Sequence, residues 1–233
     1  PRNIIGIQRP GSYAQYVTAP ASNVYPLPDG MTLEHAALTE PMACALRAAK
    51  LSGCTATDRV LITGLGPIGL LVMQVVKAFG VKEIFATDTD ADRRTIGEKF
   101  GVHVLNPQTD NVVEIVRKAT NGAGVDMAID AVGATATRRE CIEAVTPGGK
   151  VIFTGLHSEE SNIQANYIIR NEINIQGSFA YTPVDFEDAF DWLVKGRIEI
   201  DPWILKAPLA DGGAMFEKLL SNPGPVAKIL LCS

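Results

Sequence analysis

Between Val60 and Gly69 the chain reads Val-Leu-Ile-Thr-Gly-Leu-Gly-Pro-Ile-Gly, an apolar run that meets G-x-G-x-x-G and passes directly into residues at helical spacing. A strand, a tight turn and a helix must follow one another here. Gly64 permits the turn, Gly66 lets a pyrophosphate approach the backbone with no Cβ in the way, and Gly69 lets the helix pack closely on the strand. Pro67 and Ile68 complete the loop. The phosphate would sit on the helix N-terminus, where free N–H groups and the positive end of the dipole favour an anion. Methyltransferases use similar loops, so the motif alone leaves two ligand classes open.

The rest of the chain extends the pattern. Strands are expected at Val60–Thr63, Ile84–Asp88, His103–Leu105, Met127–Asp130, Lys150–Gly155 and Ile173–Ser178. Apolar residues recur at helical spacing over Ile68–Phe79, Ala91–Phe100, Val112–Ala119 and Ala136–Val145, the last ending before Pro147 and Gly148. Short β-branched runs alternating with amphipathic stretches read as an α/β protein with a doubly wound, parallel, six-stranded sheet. The first forty residues differ. Gly11, Pro20, Pro26, Pro28 and Gly30 punctuate short extended runs such as Tyr13–Thr18, which reads as β and loop material outside the sheet. A helix is expected over about Phe186–Lys195 and a closing strand over Val226–Leu231.

Asp88 narrows the ligand. It ends the second expected strand 19 residues after Gly69, close to the spacing of about 20 at which an acid holds the adenosine ribose of a dinucleotide. Its carboxylate would accept the ribose hydroxyls and repel a 2′-phosphate, so NAD is expected over NADP. The other role open to Asp88 is a solvated strand-end acid in the polar run Thr87–Asp92. Arg93 and Arg94 follow closely enough to cover the adenine or to offset that acidic run.

Composition removes other classes. Of 233 residues, 21 are basic and 26 acidic, for a net charge of −5 with no dense Lys/Arg cluster, so nucleic acid is not an expected partner. The greasiest stretch, Val60–Val76, is broken by Thr63, Gly64, Gly66, Pro67, Gly69 and Gln74. A membrane span needs about 20 mostly apolar residues, and none is expected. Cys44, Cys54, Cys141 and Cys232 are scattered without a C-x-x-C pair, as in a cytoplasmic protein with reduced core thiols. Pro1 rather than Met comes first, so sequence ahead of it is expected.

At this point the chain resembles the zinc-dependent medium-chain alcohol and polyol dehydrogenases, nearest the sorbitol and threonine dehydrogenase branch. Gly11–Val17 is similar to the family's G-G-F-A-E-Y-V, Val24–Gly30 to V-x-x-L-P-D-x, and Thr57–Gly69 to G-D-x-V-L-V-x-G-x-G-P-I-G. Asp130–Gly133, Gly148–Val151 and Gly177–Phe179 continue the likeness in order. The resemblance implies a Rossmann NAD-binding domain over residues 43–183, flanked by remnants of a β-rich, GroES-like catalytic domain at 1–42 and 184–233. It implies contacts from Ala131, Val132, Gly155, Leu156, Ser178 and Phe179 to the nicotinamide end, and from Lys228 to a cofactor phosphate. It further implies a homo-oligomer formed through the sixth sheet strand, and a small alcohol or polyol as substrate.

The family's Cys and His-Glu zinc ligands and its four-cysteine lobe are not found, and His35, His103 and His157 stand apart from Cys or Glu. Glu40-Pro41 is similar to the E-P of the polyol branch, where the Glu lies at or beside the catalytic zinc. Glu40 also opens an apolar helix, Met42–Ala49, where an acid suits the dipole. Sorbitol dehydrogenases tend to have F-R-Y where this chain has Phe179-Ala180-Tyr181, which removes an arginine that holds the polyol. The expected function is therefore the NAD-binding part of a zinc alcohol or polyol dehydrogenase, with zinc belonging to the full-length protein and turnover absent from these residues alone. A non-catalytic NAD-binding module and a zinc-free quinone or enoyl reductase are the alternatives.

Overall fold

A computed structural model describes residues 3–221 and 223–232. Strands β1 (Arg59–Thr63), β2 (Glu83–Thr87), β3 (His103–Leu105), β4 (Val125–Asp130), β5 (Val145–Phe153) and β6 (Asn174–Gly177) form one parallel sheet in the order β3-β2-β1-β4-β5-β6. The chain winds outward from β1 to β3 and then crosses back to β4. The order therefore reverses between β1 and β4, and their carboxyl ends open the crevice where such sheets take ligands. Thr63 lies opposite both Thr87 and Asp130 there.

Helices cover both faces. On one side lie α2 (Thr39–Ser52), α3 (Pro67–Ala78), α4 (Ala91–Lys99) and α8 (Pro183–Val194); on the other lie α5 (Val112–Ala119), α6 (Thr135–Ala144) and α7 (Ala165–Arg170). Because side chains alternate along a strand, Val60 and Ile62 join the first core while Leu61 joins the second. A run apolar at every position is what a strand buried on both faces requires. A short helix α1 (Leu33–Ala37) precedes α2, and a second, two-stranded parallel sheet pairs β7 (Ile204–Pro208) with β8 (Lys228–Cys232), accompanied by α9 (Gly212–Ser221).

Some expectations are corrected. Tyr13–Thr18 forms no strand; residues 3–32 hold one 3₁₀ turn at Ala21–Asn23 and an isolated Ile5–Arg9 bridge. Tyr13 and Tyr16 are 70% and 90% exposed, and an extended run gains ladder bonds only from a neighbouring strand. Strand β5 begins at Val145, ahead of the Pro147-Gly148 pair that reads as a stop. Val125 pairs with Val145 but Met127 with Lys150, so three extra residues of β5 bulge out between these pairs, with Gly148 at φ +77°. The boundary expected at 42/43 falls inside α2, which packs on α3 and α8. No described helix is long and apolar enough to cross a membrane. Cys54 and Cys141 are buried as expected of core thiols, but Cys44 is half-buried and Cys232 exposed.

Candidate functional site

The three glycines of the β1–α3 turn do three different jobs. Gly64 has φ +88° and its N–H donates to Thr87 O at 2.7 Å, tying the turn to β2. A Cβ on Gly69 would stand 1.7 Å from Gly64 O, so this position admits no side chain. Gly66 is different. Its backbone is ordinary extended chain, and a Cβ there would meet only Arg93 Nη1 at 3.8 Å. The fold does not require glycine at 66, and without a side chain there the backbone stays open to close approach. Gly66 is the N-cap of α3, no side chain caps it, and Pro67 opens the helix, so the first-turn N–H groups remain available to an anion.

Asp88 follows β2 and is 8% exposed. Its Oδ2 accepts the Leu65 N–H at 2.7 Å and its Oδ1 the Asp90 N–H at 2.8 Å. The acid therefore fixes the glycine turn as well as facing it. Each oxygen keeps a lone pair for a further donor such as a sugar hydroxyl. The two arginines divide: Arg94 Nη1 donates to the Asp88 carbonyl at 2.8 Å, while Arg93 Nη1 lies 3.9 Å from Asp88 Oδ2, beside Gly66. Arg93 Nε is buried without a hydrogen-bond partner among the described residues.

Past the switch point, the ends of β4, β5 and β6 bring the next group together. The Ala131 N–H donates to Thr63 O at 2.9 Å, and the Ser178 N–H to Phe153 O at 2.8 Å. A Cβ on Gly155 would stand 2.1 Å from the Val132 carbonyl carbon, so the loops after β4 and β5 touch backbone to backbone. Leu156 and Phe179 project, 76% and 59% exposed, and the buried Ser178 hydroxyl has no hydrogen-bond partner among the described residues. Ala180 is held at φ +53° just beyond. Lys228 opens β8 opposite Ile204, in the two-stranded sheet and not among these strand ends.

Beneath this surface are groups that sequence reasoning passed over. Asp130, fully buried, accepts Thr63 Oγ1 and the Val132 and Gly133 N–H groups, each at about 3.0 Å. Glu140 on α6 takes a hydrogen bond from Thr87 Oγ1 at 3.5 Å. Burial, against that bond and aided by the negative Asp130 and Glu143, pushes its carboxyl up to about 7. Asp130 lay in a motif and could have been marked. Glu140 gave no signal, because its carboxyl is desolvated only when α6 packs on the sheet.

The glycine turn, the buried Asp88 and the touching β4 and β5 loops together form a crest along the carboxyl ends of the strands. The family model described as zinc-binding dehydrogenase matches residues 67–195, more than half of the chain. The chain belongs to the zinc-binding dehydrogenase family. It is 34% identical over 226 residues to D-arabitol-phosphate dehydrogenase of Enterococcus avium, covering 95% of this chain and 64% of that protein. Among solved structures, 2R,3R-butanediol dehydrogenase of Bacillus subtilis superposes with a TM-score of 0.89 at 28% identity, covering 98% of this chain and 66% of that one. A Sinorhizobium meliloti protein bound to NADP gives 0.88 at 30% identity, covering 98% and 68%. The chain thus spans about two thirds of its relatives' length.

A zinc-binding dehydrogenase invites a search for the metal's ligands. Glu40 is exposed in the first turn of α2, and Cys44 Sγ stands 3.6 Å from its Oε1. That pair is all the geometry offers, since no three His, Cys, Asp or Glu among the described residues gather around one point. A catalytic zinc takes three protein ligands plus an open position. The described residues do not fit a zinc site.

Proposed function

We propose that the crest binds NAD and that the chain is the dinucleotide-binding part of an oxidoreductase acting on a secondary alcohol or polyol. The observation that carries the reading is Gly66, glycine at a position where the fold would accept a side chain, next to the free N-terminus of α3 and to Asp88. The pyrophosphate would lie on Gly66, Pro67, Ile68 and Gly69, and the adenosine ribose on Asp88. Arg93 would close over the adenine side. The nicotinamide end would lie along Ala131, Val132, Gly155, Leu156, Ser178 and Phe179, with the Ser178 hydroxyl available to a carboxamide. When bound, the nicotinamide supplies hydride acceptance; the residues here orient the ring and exclude water from one face.

The Sinorhizobium meliloti relative is bound to NADP. In this chain Asp88 favours NAD, because a 2′-phosphate would bring a second anion against a carboxylate already buried. Glu40 would stand at the metal side of the complete enzyme, but with two donors in reach we propose that these residues alone bind NAD without oxidising alcohols. The full-length protein would add zinc, work in the cytoplasm and assemble through β6. Lys228 would reach a cofactor phosphate only if the β7–β8 sheet closes toward the crest.

Gly66→Ala tests the reading. Thermal unfolding of the variant should match wild type without ligand, because the added methyl has room. NAD should raise the wild-type midpoint in a concentration-dependent way and leave the variant's unchanged. Equal NAD stabilisation of both would remove the pyrophosphate from this turn.

A further inference from the structure

Behind the loops that follow β4 and β5 lies a side chain with no part in the reading above. Arg138, on α6, is 13% exposed, a depth at which an arginine needs several partners to offset lost hydration. Its Nη1 donates to Ser161 Oγ at 2.7 Å and its Nη2 to Gly155 O at 3.4 Å. Its Nε stands 3.9 Å from Asp130 Oδ2, and the guanidinium lies over the Phe153 ring, 5.6 Å from the centroid. Among the ion pairs of the described residues, Arg138 is the only cation on Asp130. Ser161 Oγ also accepts a hydrogen bond from Thr135 Oγ1 at 3.2 Å, which returns the 155–161 loop to the start of α6.

The two loops that Arg138 reaches are already joined to each other. Thr154 and Gly155 N–H groups both donate to Asp130 O, His157 N–H to Val132 O, and Ser158 N–H to Gly133 O, at 2.9–3.3 Å. Asp130 holds the 131–133 loop from within through the Val132 and Gly133 N–H groups. One guanidinium thus touches the anchor of the first loop and the carbonyl and hydroxyl of the second. None of these contacts reaches Gly66 or Asp88. Its influence falls on one half of the crest.

We propose that Arg138 is a positioning residue that locks the β4 and β5 loops into a single surface for the nicotinamide half of a bound dinucleotide. The proposal rests on the crest being a dinucleotide site. It separates from a purely structural role because a general loss of stability would weaken both halves of the ligand together.

The test compares NADH with ADP-ribose, which carries the adenosine, pyrophosphate and second ribose but no nicotinamide. Wild type should bind NADH more tightly than ADP-ribose, measured by NADH fluorescence and by competition. Arg138→Met, which keeps the bulk and removes the fork, should weaken NADH about tenfold and ADP-ribose by less than about twofold. Ser161→Ala removes one exchangeable contact without burying a lone charge, and should weaken NADH about threefold with ADP-ribose again unchanged; it decides the matter if Arg138→Met does not fold. Equal weakening of both ligands, or of neither, overturns the proposal. So does a wild-type chain that binds NADH no more tightly than ADP-ribose, since no nicotinamide contact then exists to position. Failure of wild type to bind ADP-ribose at all would instead overturn the dinucleotide reading.

Discussion

Replacing Glu140 with Gln should stabilise the protein above neutral pH and leave it nearly unchanged at pH 4. Folding takes the Glu140 carboxyl from an ordinary 4.5 to about 7, chiefly by burial, with Asp130 and Glu143 adding repulsion and the Thr87 hydroxyl opposing. The folded protein therefore holds this proton more tightly than the unfolded chain. Below pH 4.5 both states are protonated and nothing is lost; between 4.5 and 7 stability falls as pH rises, and above 7 the loss is complete. A rise of about 2.5 pH units at about 1.36 kcal/mol each gives roughly 3 kcal/mol. Glu140 is only half-buried, and partial contact with water lowers this to about 1–3 kcal/mol. Gln keeps the shape and can still accept the Thr87 hydroxyl. Urea unfolding of both proteins at pH 4 and pH 8 reads the difference. A variant equally displaced at both values, or less stable than wild type at pH 8, would refute the reasoning.

Ala180 is a non-glycine residue at φ +53°, which costs about 1–2 kcal/mol. Ala180→Gly relieves that strain against an unfolded-state entropy gain of about 0.4–1 kcal/mol and should raise the thermal midpoint by a few degrees. Asp185, buried at N3 of α8, accepts the Thr182 N–H and hydroxyl and pairs with Lys50 at 3.0 Å and Arg47 at 3.5 Å. Burial alone would raise its carboxyl, but the bonds from Thr182 and Lys50 outweigh burial and hold it below the ordinary 3.8. Asp185→Ala should cost about 2–4 kcal/mol at pH 7 in a denaturant melt, and the gap should close as pH falls through the lowered value. Strand β6 ends the sheet with Ile175 36% exposed, an edge open to pairing. Light scattering should show an oligomer, and Ile175→Pro a smaller species.

The inner strands were legible because β1 and β2 bury both faces and so need apolar runs, and because glycine spacing marks the turn between β1 and α3. Helix ends were read to within a few residues at α3, α4 and α5, where Asp90 and Asn111 cap and Phe79 and Thr120 close. Strand β7 and helix α9 were not legible. Gly212-Gly213 reads as a turn, and β7 is defined by its pairing with β8 rather than by its own pattern. At the site, the glycines and Asp88 announced themselves through spacing. The ring of groups beneath them did not, since Glu140 and Arg138 acquire their chemistry only when α6 packs on β1, β4 and β5.

Calorimetric titration of the chain with NAD and NADP side by side tests the dinucleotide reading most directly. A hydrogen bond to a charged acceptor is worth about 1.5–3 kcal/mol and 1.4 kcal/mol is tenfold in affinity, so NAD should bind at least about tenfold more tightly than NADP. Asp88→Ala should narrow that gap. NADP binding as tightly as NAD, or more tightly, would contradict the assignment of Asp88 to the ribose.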